Sequence, residues 1–480
     1  MSDMTKGKGE SSGLRGYSSR LFPVRFLWLS LFIAWQCCTH LYLIFPGNAS
    51  DPTLRFVVEY GFRMGDIGTL LILGLLYKRI GRLSERPVGC LVASACTSLG
   101  TALLGLVLVP WAIGGMPAFL VSVATASGSA FLFCLWAEVY GQMGIARTAV
   151  NGGLSCLLST VFFLLVSVVY APYDLVLVAL FPLLSFFAAF LSMQLLPHEG
   201  GLPPKRNCRI PWKLVSIMAC AGFLAGPAGL LLSPDAESAG AVHRIFATGL
   251  FGATLLIMLL FKKGHVDLRL LARITLPLSL VALISLVLMG QPFAYFVSFL
   301  LKFAYEWITF FVLMMLANLV YRFEISSLHL FAIARAISES AMFMGVVTRR
   351  FVWDAGLMDN GLTPIVVSLG GVLIVFACTL VWMSEKSVTT DWGVLGVQLD
   401  GGMWVPSARE RMLSRCDQLA EVYGLTAREA EILALLAGGR TRRDIEQELF
   451  LSSNTVKTHV SHIYQKLGIH SRSEVAKLFE

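Results

Sequence analysis

Residues 174–196 read DLVLVALFPLLSFFAAFLSMQLL, and no charge follows Asp174 in that stretch. A helix crosses the ~30 Å hydrocarbon core of a bilayer with ~20 apolar residues. The stretch therefore has the length and character of one membrane crossing. Working outward in both directions, runs of this kind recur from Leu21 to Trp382. Roughly twelve can be counted, near 21–45, 55–77, 88–109, 113–140, 148–170, 174–196, 212–233, 241–261, 269–289, 293–321, 328–347 and 361–383. Composition agrees with them. Of 480 residues, 56% are hydrophobic and 14% charged, where about 45–50% and about 25% are usual for soluble chains. That excludes a disordered chain and argues against an ordinary soluble enzyme. The formal charge of +8 is weak evidence for nucleic acid, because membrane proteins carry such an excess in cytoplasmic loops. The 10 cysteines form no CxxC pair, so neither a zinc site nor a disulfide framework is expected.

The loops between the runs carry a sign. Lys78, Arg79, Arg82 and Arg86 follow the second run; Lys205, Arg206, Arg209 and Lys213 the sixth; Lys262, Lys263, Arg269 and Arg273 the eighth. The opposite loops carry Asp51, Asp174, Asp235 and Glu237 instead, with Arg55, Arg349 and Arg350 as exceptions. This is the positive-inside pattern, and it predicts a multi-pass protein with both termini in the cytoplasm. Ser2 to Arg20 is polar and has no cleavage signal after it, so residues 1–20 read as a cytoplasmic tail rather than a signal peptide.

Six runs lie on each side of the polar segment Pro197 to Pro211, and a basic loop follows the second run of each half. Two parallel six-helix halves are a transporter plan. The first basic loop, Gly74-Leu75-Leu76-Tyr77-Lys78-Arg79-Ile80-Gly81-Arg82, resembles the G-x-L-x-D-R-x-G-R loop of the major facilitator family. It matches at Gly74, Leu76, Arg79, Gly81 and Arg82, and has Lys78 where the family has Asp. In those transporters the Asp takes part in gating, so the resemblance implies the fold more than the transport cycle.

After Trp382 the character changes. Residues 384–424 read as a polar linker ending in an amphipathic helix, Arg409 to Tyr423, with Met412, Leu413, Cys416, Leu419 and Ala420 on one side. Residues 425–480 carry four helix signals. Thr426-Ala427-Arg428-Glu429 is a capping box before Ile432, Leu433 and Leu436. Thr441 with Asp444 opens a second short helix, burying Ile445 and Leu449. Ser452 caps a third, with Val456, Val460, Ile463 and Leu467 on one stripe and Gly468 at its end. Ser471-Arg472-Ser473-Glu474 opens the last. Helices two and three form a helix-turn-helix unit. The polar face of the third displays Asn454, Lys457, Thr458, Ser461 and Gln465, short hydrogen-bonding side chains of the kind a major-groove reader uses. Pattern alone leaves a plain helical packing module open. So does charge, with eight Lys/Arg against seven Asp/Glu from Leu425 to Glu480.

Leu425-Thr426-x-Arg428-Glu429-x-Glu431-Ile432-Leu433, Thr455-Val456-Lys457-Thr458-His459-Val460 and Lys466-Leu467-Gly468-Ile469-x-Ser471-Arg472 resemble the LuxR-type DNA-binding domain. The likeness covers about 55 residues, with Glu446 standing where the pattern has a small Ala. It implies base contacts from Lys457, Thr458 and Ser461 beside Asn454, phosphate approach by Thr455 and His459, and a homodimer on duplex DNA joined through the last helix.

Inside the apolar runs sit Glu59, Arg63 and Asp66 at i, i+4 and i+7, Lys302 with Glu306, and Arg335 with Glu339. A charge at mid-membrane costs at least ~2.5–3.5 kcal/mol, so these residues are expected to face the bundle interior. One reading is a pocket for a small-molecule effector, in which Arg63 and Arg335 pair with its carboxylate or phosphate. The other is a set of self-neutralised i, i+4 pairs. Gly152-Gly153 and Gly370-Gly371 lie within apolar runs, where they permit close helix packing. No Walker loop, H-E-x-x-H or G-x-S-x-G occurs; no catalytic residue, metal or cofactor is expected.

The expectation is thus an all-α chain: a polytopic bundle of about twelve helices over residues 21–383, arranged six and six, and a four-helix LuxR-type domain. The function it implies is a one-component transcription regulator in a bacterial inner membrane, its partners duplex DNA, the lipid bilayer and a small effector. The alternative is a major-facilitator-type transporter with a regulatory DNA-binding tail.

Overall fold

The computed structural model describes residues 27–40, 52–111, 113–143, 145–195, 210–225, 242–261, 281, 284, 285, 294–323, 325–355, 415–416, 419–420, 422–438, 440–449, 451–469, 471 and 474–475. They fall into two compact units, one of long helices and one near the C-terminal end.

The first unit contains α1 (Leu29–His40), α2 (Pro52–Leu75), α3 (Pro87–Leu103), α4 (Met116–Gly141), α5 (Ile145–Ser167), α6 (Tyr173–Leu195), α7 (Trp212–Ala225), α8 (Val242–Phe261), α9 (Ala294–Phe323) and α10 (Ser327–Asp354). Among the described residues, 6 helices are long and apolar enough to cross a membrane. They are α3 with the π turn Leu104–Leu108 that extends it, α4, α5, α6, α9 and α10. The quoted stretch forms α6, with Pro182 inside it. The run near 361–383 lies outside the described residues, as do all of the run near 269–289 but residues 281, 284 and 285, residues 1–26 and most of the linker. The run expected to end at 347 continues helically to Asp354. Arg350 is thus helical, its guanidinium 4.0 Å from the centre of the Phe56 ring.

Within the first half, α2 packs on α4, α4 on α3, α3 on α6, and α1 on α5 and α6. Within the second, α7 packs on α10. Three pairs join the halves, α2 and α4 with α10, and α5 with α8. The α5–α8 crossing is close because small residues face each other: a Cβ on Gly252 would lie 2.4 Å from the Gly153 carbonyl oxygen. Thr160 Oγ1 also donates across it to the Ile245 carbonyl, 3.3 Å away. In the α2–α10 seam, Tyr60 meets Phe343 edge-on, and the His329 ring lies on Tyr77 with Nδ1 2.7 Å from the Gly74 oxygen. The loop after α2 is held by Glu138 of α4, whose carboxylate accepts from the Leu83 and Ser84 backbone N–H groups at 2.7 and 3.0 Å.

The second unit contains α11 (Ala427–Ala437), α12 (Arg442–Leu449) and α13 (Ser453–Leu467). The expected start and stop signals act here. Thr426 and Glu429 form a reciprocal capping box. Thr441 and Asp444 do the same for α12, at 2.7 and 3.2 Å. The Ser452 side chain accepts from Thr455 N–H, and Gly468 ends α13 at φ 67°, a left-handed conformation that favours glycine. Ile432, Leu433, Leu436, Ile445, Val456, Val460, Ile463 and Leu467 form its core, which Cys416, Leu419 and Val475 complete.

Candidate nucleic-acid interface and buried charge cluster

On α13 the apolar stripe is buried, with Val456 and Ile463 fully enclosed. The opposite face is exposed and carries Asn454, Lys457, Thr458, Ser461 and Gln465. Helical spacing of i, i+3, i+4 and i+7 puts the first four together on one strip. Thr455 and His459 flank it, half-buried. Thr455 is tied to the cap, its hydroxyl 2.8 Å from that of Ser452. Thr458 Oγ1 donates to the Asn454 carbonyl at 2.9 Å. Lys457 and Ser461 make no hydrogen bond or ion pair among the described residues, so both are free to meet a partner.

The strip is aimed by an ion pair between the exposed Lys466 and the buried Glu429 that sequence spacing does not reveal. Glu429 Oε2 accepts from Thr426 N–H at 2.8 Å and from Lys466 Nζ at 2.7 Å. Lys466 Nζ also donates to the Gly424 carbonyl at 3.0 Å. One lysine near the end of α13 thereby holds both the start of α11 and the turn before it. Arg428 adds a second tie, donating to the Leu449 carbonyl at the end of α12 at 3.0 Å. The hydrogen bonds from Lys466 and from the Thr426 backbone lower the Glu429 carboxyl to about 2.

A carboxylate held below its ordinary 4.5 stabilises the fold in its charged form. Its contribution is complete above about pH 4.5 and is lost as the pH falls towards about 2. Glu429→Gln in a tail of residues 408–480 is expected to lower stability at pH 7 by about 1–3 kcal/mol. It should also flatten the acid limb of stability between pH 5 and 2. Urea unfolding across that range reads both effects, and an unaltered acid limb would contradict the role given to Glu429.

The charges of the membrane runs come together differently from the pairwise expectation. Arg335 Nη2 meets Glu339 Oε1 at 2.5 Å, one helical turn along α10. Arg63, however, reaches across from α2 to the other oxygen of Glu339 instead of pairing with Glu59 on its own helix. Glu339 is 3% exposed, and a carboxylate so desolvated gains more from a second cation than the half-buried Glu59 does. Asp66 makes no hydrogen bond among the described residues but lies within electrostatic range of Arg63, Arg335 and Glu339. Lys302 pairs with Glu306 at 2.6 Å as expected, and Thr248 of α8 donates to the same carboxylate at 3.0 Å. Two residues here had no sequence signal. Phe133 lies under the Arg335 guanidinium at 5.6 Å, and Tyr305 lies under Lys302 at 5.0 Å.

The two units have different relatives. Residues 424–479 match the family model described as bacterial regulatory proteins, luxR family. The chain is 48% identical over 52 residues to the transcriptional regulatory protein LiaR of Bacillus subtilis (strain 168), a match covering 11% of this chain and 25% of LiaR. It is 46% identical over 50 residues to the spore germination protein GerE of the same organism, covering 10% of this chain and 68% of GerE. This chain thus spans about a quarter of LiaR and about two thirds of GerE. A crystal structure of a bacterial homologue of the iron transporter ferroportin, in an outward-facing state, superposes with a TM-score of 0.50 at 18% identity, covering 75% of this chain and 98% of that one. At that identity the likeness shows the fold alone. It places the helical unit in the architecture expected from the twelve runs and the resemblance of the loop after α2.

Proposed function

Because the chain belongs to the luxR family of bacterial regulatory proteins, we propose that it is a membrane-anchored, one-component transcription regulator. The observation that carries this reading is the exposed polar strip of α13, on a helix whose other face builds the core of its own compact unit. In this reading α13 enters a major groove. Asn454, Lys457, Thr458 and Ser461 meet base edges there, while Thr455 and His459 approach phosphate. Two tails on a pseudo-palindrome sit ~34 Å apart. The helical unit lies in the bacterial inner membrane with both chain ends in the cytoplasm, as the loop charges favour. It takes a small effector between its halves, and the two packings of those halves must differ in affinity for that effector if binding is to reach the tail.

DNase footprinting with the tail of residues 408–480 tests the core of this. Sequence-specific protection is the expected result; a folded tail that protects no site would sink it. Lys457→Ala is expected to weaken binding about tenfold and, because one cation fewer displaces counterions from the groove, to flatten the dependence of affinity on salt. Titrations at several salt concentrations measure both, and unchanged affinity would remove Lys457 from the interface.

The likeness to a transporter fold keeps a second reading in play, a transporter with a regulatory tail. Lys78 in place of the family's Asp favours sensing over transport. Substrate accumulation in sealed vesicles would decide for transport; binding without accumulation decides for sensing.

A further inference from the structure

Buried polar groups in folded proteins nearly always have partners, and each exception needs an explanation. Two exceptions stand beside the charge cluster. Arg63 Nε and the Tyr305 hydroxyl are both buried without a hydrogen-bond partner among the described residues. Tyr305 is 6% exposed, and it lies within electrostatic range of Arg63, Arg335 and Lys302 alike. Three cationic heads on α2, α9 and α10 thus feel one hydroxyl that makes no hydrogen bond among the described residues.

From this we propose that Arg63, Arg335 and Tyr305 form the binding site for a single carboxylate group on an apolar small molecule. The inference rests on the sensing role given above to the helical unit, and it names the chemistry sensed there. Both unpartnered groups can donate, and the free N–H can only donate, so the missing partner is an acceptor. A cation would meet three like charges. The facing carboxylates are Asp66, Glu306 and Glu339, with Glu59 further along α2. Glu306 and Glu339 are already engaged. Three cations, Arg63, Arg335 and Lys302, face four carboxylates, Asp66, Glu306, Glu339 and Glu59, so the site tolerates one added negative charge far better than two. Desolvation sharpens that preference, because its cost rises steeply with charge. A monocarboxylate is thus favoured over a phosphate. Its body would lie against apolar groups: Met342, whose Sδ is 3.4 Å from Arg63 Nη1, and Phe133 under Arg335. The incoming carboxylate competes with Glu339 for Arg63, and Arg63–Glu339 is an ion pair between the two halves. Occupancy of the site thereby loosens the link that holds α2 to α10.

The test uses the full chain in detergent with benzoate as the probe, and with benzamide and inorganic phosphate as controls. Benzoate is expected to raise the unfolding temperature in a saturable way, while benzamide and phosphate leave it in place. Tyr305→Phe removes one oxygen from a well-packed ring and should weaken the benzoate effect at least tenfold, with little change in the melting of the unliganded protein. The proposal is overturned if benzoate produces no shift, if benzamide or phosphate matches it, or if Tyr305→Phe responds like the parent. DNA protection by the unliganded full chain is measured on the same samples. Its loss, with the benzoate response intact, would sink the regulatory reading and leave the site standing. The reverse result would remove the site and leave the regulator.

Discussion

Glu339→Ala is expected to destabilise the helical unit by about 3–5 kcal/mol, since it strips a buried carboxylate from between two largely desolvated, half-buried guanidiniums. Neither cation can reach water easily, and Asp66 nearby can offset only one of them. Thermal unfolding of the full chain in detergent, followed by size-exclusion fluorescence, measures the loss. A variant within about 1 kcal/mol of the parent would show that the cations find other partners. The complementary variant separates a missing partner from a missing bond. Changing Arg63, Arg335 and Glu339 to Leu together removes the stranded charges as well as the pairs, and is expected to be far less damaging than Glu339→Ala alone.

The second large effect lies in the tail. Ile463 is fully buried at the centre of the core that α11, α12 and α13 share. Ile463→Ala removes three carbons and leaves a cavity, at about 2–5 kcal/mol. A unit of some 65 residues has roughly 3–10 kcal/mol of stability in all, so the variant should be largely or wholly unfolded at 37 °C. Circular dichroism melts report the unfolding, and footprinting should report lost DNA protection although no contacting residue has been touched. Full protection by this variant would mean that the strip on α13 does not depend on the core behind it.

What could be read from the sequence divides along physical lines. Local signals were legible because they act over three or four residues. The capping boxes at Thr426 and Thr441, the Ser452 cap, the Gly468 stop and the stripe Val456, Val460, Ile463, Leu467 all appear where their spacing put them. Long apolar runs were legible because bilayer thickness sets a length that composition alone can meet. The Arg335–Glu339 and Lys302–Glu306 pairs were within reach for the same reason, since each spans one turn. Contacts across the chain were not. Nothing near Arg63 points to a partner 276 positions away, and the neighbouring Glu59 offered a cheaper local answer. Lys466 reaches Glu429 over 37 positions, which no periodicity encodes. Tyr305 looked like one more aromatic in an apolar helix, and only its three charged neighbours give it significance. The same limit applies to run boundaries: Arg349 and Arg350 read as loop charges, yet the helix runs on to Asp354.

The α5–α8 and α2–α10 seams between the halves differ in mechanical character. At α5–α8 the backbones of Gly153 and Gly252 nearly touch, with no side chain between them to interlock. Such a contact acts as a fulcrum: the helices can tilt about it without pulling knobs from holes. At α2–α10 interleaved rings and shared charges resist separation. A rocking of one half against the other would therefore meet less resistance at the glycine crossing than at α2–α10, where the Arg63–Glu339 pair must part.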